Sequence, residues 1–106
     1  MLEEHTIISK FRKDVNEHVD IIEDEIRRGR RNDASLWLNE LFTMKMAWER
    51  EFNRPGLAIT AHPWVNPKTL DTSSTKHLAK IRIEILQDAI KKVEDMFEAQ
   101  GWREAA

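Results

Sequence analysis

The stretch that most constrains this chain is residues 33–53, DASLWLNELFTMKMAWEREFN. At 100° per residue, Trp37, Leu41, Met44, Trp48 and Phe52 fall within about an 80° stripe, the pattern of a core-facing helical surface. A second ridge, Leu38, Phe42 and Met46, lies roughly a third of a turn away. A helix packed on one neighbour needs only one face. This one needs cover on two sides, either from the helices before and after it or from another copy of the chain.

The preceding residues supply the first partner. Ile8, Phe11, Val15, Val19, Ile22 and Ile26 follow 3/4 spacing with charged residues opposite, which predicts a helix over residues 3–28. Arg27 and Arg28 suit the negative end of its dipole, and Gly29 suits the left-handed position just beyond it. Asn32 or Asp33 is the expected cap of the next helix, and so short a connection implies an antiparallel helical hairpin.

Pro55 and Gly56 end the central helix. The strap that follows, residues 54–73, holds all 3 prolines and shows no helical period. Loops this long are uncommon in compact domains and are often functional. Leu57, Ile59, Trp64, Val65 and Leu70 argue for an ordered segment packed along the helices, with His62, Trp64 and Val65 as its candidate contact residues.

A final helix over residues 74–100 is expected, opened by the Thr72–Thr75 cluster of hydroxyl residues. Leu78, Ile81, Ile85, Ala89, Val93 and Met96 form one ridge, and Ile83, Leu86, Ile90 and Phe97 another. Lys80, Glu84, Gln87, Lys91, Asp95 and Glu98 form the solvated face, and Asp88 stands acid-first before Lys92. Gly101 is placed to end the helix, with Trp102 folding back on the last turn. The fold class expected is therefore all-α: one domain over residues 1–106, a three-helix antiparallel bundle with a long Pro/Trp loop between helices 2 and 3.

Apolar surface is in excess for an isolated bundle. The first helix offers an arc of about 120° and the third about 200°, while the second carries two ridges. With 4 tryptophans and 4 methionines in 106 residues, types enriched in interface cores, the surplus points to a protein–protein contact surface. The expected partner is a second copy, as a dimer or higher oligomer, or a larger protein. Small helical proteins of bacteria and phages often serve as adaptors or inhibitors of this kind, an analogy at the level of class. Leu38, Phe42 and Met46 join the strap residues as candidate contacts.

The chemistry-bearing residues are sparse. With 0 cysteines, thiolate catalysis, disulfides and Cys-based metal sites are excluded. The 4 histidines, at 5, 18, 62 and 77, form no Glu-x-x-His pair of the kind bundle metal sites use. His18 sits on the margin of the first seam, where a half-buried, hydrogen-bonded histidine is expected. The acids Glu23, Asp24, Glu25, Glu94 and Glu98 fall mostly outward. The chain is expected to be non-catalytic, with no cofactor or metal.

The strongest local charge is Arg27, Arg28, Arg30 and Arg31 around Gly29. Guanidinium groups suit phosphate, so non-specific nucleic-acid binding through this turn is the alternative reading. The net charge of −2 confines any such site to this patch. The mixed-sign helix faces do not suit anionic membranes. An acidic N-terminal stretch and the lack of any long apolar run make a cytosolic setting the expectation.

Overall fold

The computed structural model describes residues 4–55 and 73–102. Three helices account for them: α1 over Glu4–Arg27, α2 over Arg31–Asn53 and α3 over Ser73–Ala99, with no strand among the described residues. The chain is an all-α three-helix bundle. The strap residues 56–72, and with them His62, Trp64 and Val65, lie outside the described residues.

The α1 seam buries as its spacing requires. Val15, Val19, Ile22 and Ile26 are buried, and Ile8 and Phe11 pack partly buried against them. On α3, Ile85, Leu86, Ala89, Ile90, Val93 and Phe97 are buried, flanked by Ile81 and Met96. Its polar face is exposed throughout, although the ion pair found there is Lys91–Asp95, 3.4 Å, one step round from the expected Asp88–Lys92.

On α2 the buried line runs through Ala34, Leu38 and Leu41, about 40° round from the expected stripe. A helix seated between two others buries the line between its ridges, and each ridge then turns to one neighbour. Trp37 is therefore 36% exposed and meets the His18 ring edge-on at 5.7 Å. Trp48 sits edge-on to Phe11 at 6.1 Å.

Direction follows from the ends. His77 Nε2 donates to Glu4 Oε1 at 2.9 Å, and Lys76 Nζ lies 5.0 Å from the Phe52 ring centre. The start of α3 thus sits beside the start of α1 and the end of α2. At the other end Ile26 and Met96 line one shallow cleft. Hence α1 and α3 run parallel, with α2 antiparallel to both.

Both glycine stops are Schellman motifs. Gly29 has φ +71°, its N–H reaches the Ile26 carbonyl at 3.0 Å, and the Arg30 N–H reaches the Glu25 carbonyl at 2.9 Å. Gly101, φ +74°, repeats this with Glu98 and, through the Trp102 N–H, Phe97, each at 2.9 Å. The Trp102 ring stacks edge-on against Phe97 at 5.6 Å, the apolar contact that accompanies such a stop.

One expectation fails at the hairpin. Neither Asn32 nor Asp33 caps α2; Arg30 occupies the cap position without a side-chain cap bond. The Schellman geometry returns the chain directly into a helix, so Asn32 and Asp33 fall inside the first turn. The connection is three residues long, Arg28 to Arg30, and Ala34, which is fully buried, fits beneath it.

Candidate interaction surfaces

The arginine turn carries its own counter-charges. Arg27 meets Glu23 at 3.2 Å, Arg28 meets Asp24 at 3.1 Å and Arg30 meets Glu25 at 3.6 Å. Arg31 is engaged as well. The first two pairs are i,i+4 on α1, and the third closes the Schellman turn across the positions where Phe97 and Trp102 meet at the other glycine stop. The first two pairs are exposed on both sides and contribute about 0–1 kcal/mol each. Their consequence is electrostatic: the triplet Glu23-Asp24-Glu25 offsets most of the positive field, and bidentate phosphate binding would first have to break these contacts. The Glu25 Oε2 atom is buried with no hydrogen-bond partner, which marks the Arg30 contact as the main compensation that carboxylate receives.

A second cluster escaped the sequence analysis. Arg82 on α3 lays its guanidinium 4.0 Å from the centre of the Trp48 ring and 5.5 Å from that of Phe11. One residue from each helix thus meets at a cation–π junction. Burial lowers the Arg82 pKa from its ordinary value, and the charge of Glu51 partly opposes this. Its Nε is buried without a hydrogen-bond partner. The available signal was position: Arg82 falls between the two apolar ridges of its helix, inside the arc expected to be buried.

His18 takes the half-buried place expected of it, its Nδ1 donating to the Asp14 carbonyl at 2.9 Å. Among the described residues no group of three or more His, Asp or Glu is arranged to hold a metal.

The third surface is α2 itself. Leu36 is 66% exposed, Met46 60% and Phe42 37%, with Ile21 of α1 at 38%. Leu38 parts company with Phe42 and Met46: it is buried in the core, which leaves those two from the expected ridge. Leu36 was not anticipated, because alone on its wheel position it resembles a chance exposed leucine. The face holding Leu36, Asn39, Thr43 and Met46 lies directly opposite the buried Ala34–Leu38–Leu41 line. Charge along α2 is mixed in sign: Arg31, Asp33 and Glu40 lie in its N-terminal half, Lys45, Glu49, Arg50 and Glu51 in its C-terminal half, with Arg54 just beyond the helix. Of these, Asp33, Glu40, Arg50 and Arg54 are not ion-paired among the described residues.

No described helix is long and apolar enough to cross a membrane. Comparison with known protein families, curated proteins and solved structures finds no match to this chain.

Proposed function

We propose that this chain is a non-catalytic protein–protein interaction module of the cytosol that assembles with a second copy of itself. The observation that carries the reading is the contrast on α2, whose inner line completes the core while its outer face keeps Leu36 and Met46 mostly in water. Exposed apolar side chains occur singly on most proteins, so their number alone decides little. Here two large ones share a single helix face, with Phe42 on its flank. The paired state of the arginine turn favours this reading over nucleic-acid binding, since those guanidinium groups already have partners.

The test is molar mass by light scattering over a concentration series reaching about 100 micromolar, repeated at high salt, because a small interface offsets association entropy only weakly. A reversible dimer that survives salt supports the reading. A monomer at every concentration refutes it, and a mass that falls steeply with salt would replace apolar association by ion pairing.

A further inference from the structure

We infer that Arg82 fixes the register of α3 against the α1–α2 hairpin: its charge, seated on two rings, excludes packings slid by one helical turn. This stands apart from the self-association proposed above and concerns how a single chain settles on one arrangement.

The need arises from the way the helices are joined. Three residues, Arg28 to Arg30, connect α1 to α2, and a turn that short holds those two helices in one register. Residues 54–72 lie between α2 and α3, a length of chain whose reach far exceeds the rise of one turn, about 5.4 Å. The length of that connection therefore chooses no register for α3. Apolar spacing does not choose one either. The ridges of α3 repeat every three or four residues, so a slide of one turn puts Ile81 or Ala89 where Ile85 was, apolar for apolar. The Glu4–His77 pair is exposed on both sides, and water takes over its contacts when it parts.

Arg82 breaks this repeat. In the observed register its guanidinium lies 4.0 Å from the centre of the Trp48 ring and 5.5 Å from that of Phe11, two rings that meet edge-on at 6.1 Å. A slide of one turn in one direction sets Arg82 level with Met44 and Val15; in the other it is level with Phe52 and with Ile7 or Ile8. Aromatic faces attract a cation, whereas aliphatic side chains only desolvate it, so the observed register alone gives the charge both rings. The ring pair His18–Trp37 offers no substitute within reach, being about three turns further along the hairpin.

The contact is better suited to choosing a packing than to strengthening one. The buried Nε has no hydrogen-bond partner, and burial works against the charge, as the lowered pKa records. A charged group whose gain and cost nearly cancel in one arrangement still discriminates, because in every other arrangement the cost stays and the gain is lost.

The test reads the register directly. The chain has 0 cysteines, so Lys10→Cys and Glu94→Cys, both at exposed positions, carry the only two spin labels. These positions lie about 20 Å apart along the bundle, and a one-turn slide of α3 changes that separation by about 5 Å. Double electron–electron resonance is run on labelled protein diluted into unlabelled protein, so that only distances within one chain are read. With Arg82 in place one narrow distance is expected. Arg82→Met is expected to add a second population displaced by about 5 Å, with far-UV circular dichroism unchanged and a urea midpoint close to that of the arginine chain. A single, unmoved distance in Arg82→Met overturns the inference, since side-chain shape alone would then set the register. Two distances with Arg82 in place overturn it as well. So does an Arg82→Met chain that fails to fold, because the contact would then hold the fold together rather than choose between packings.

Discussion

Replacing Met46 by alanine separates the outer face of α2 from the fold beneath it. Met46 is 60% exposed in the monomer, so most of its side chain is available for burial by a partner. Fully burying a methionine side chain gives about 1.5–3 kcal/mol, which scales to about 1–2 kcal/mol for the part still in water. A symmetric dimer buries the residue twice. Allowing for the carbon that alanine keeps, the dimer loses about 2–3 kcal/mol, a weakening of Kd by about 30- to 150-fold. The monomer has little reason to respond. Alanine is the strongest helix former, and exposed substitutions away from caps and cores usually change stability by less than about 0.5 kcal/mol. Sedimentation equilibrium on wild type and Met46→Ala gives the first quantity. Urea unfolding in the dilute, monomeric range gives the second, free of the concentration dependence that dimerisation adds. An unchanged Kd would remove Met46 from the interface. A large loss of monomer stability would mean the side chain is packed within the fold, and the area argument would fall with it.

The other predictions concern the fold. Leu41→Ala, at a fully buried position, is expected to cost about 2–5 kcal/mol in urea titration and to approach the total stability of a domain this small. Gly29→Ala meets no atom within 4 Å, so its cost, about 1–2 kcal/mol by the same assay, is the strain of an alanine held at positive φ. Arg82→Ala is expected to lose about 1–2 kcal/mol of ring contact and stem packing, whereas Arg82→Met should stay within about 1 kcal/mol of wild type. A methionine keeps the stem and removes the buried, unbonded Nε. If Arg82→Met proves as damaging as Arg82→Ala, the charge over the rings matters more than the packing.

Apolar periodicity carried most of this fold. The α1 seam, both α3 ridges and the two glycine stops follow from spacings within one helix, because burial acts on side chains three and four apart whatever the neighbour is. The misplacements share a cause. Where the buried line of α2 lies depends on how two other helices straddle it, and that is set between helices; Leu38 and Trp37 exchanged roles for this reason. Asn32 and Asp33 failed as caps because the Schellman turn left no room for a separate cap residue. Arg82 was invisible to a rule that excludes charge from the core, since the rings of Phe11 and Trp48 that tolerate it come from two other helices.

The same distinction governs the candidate site. A basic run is conspicuous in a sequence, but its field depends on neighbours, and here the three acids that dominate it lie four or five residues away. Charge that has been offset locally is available for little else. The outer face of α2 presents a different case. Asp33, Glu40, Arg50 and Arg54 carry no ion pair among the described residues, but Arg31, Glu49 and Glu51 stand among them, so the helix is mixed in sign along its length and its charge pattern singles out no partner. Leu36 and Met46, both mostly in water, are what the proposed self-association would cover. If that association rested on ion pairs, high salt would abolish it; if it rested on these apolar side chains, the dimer would survive salt.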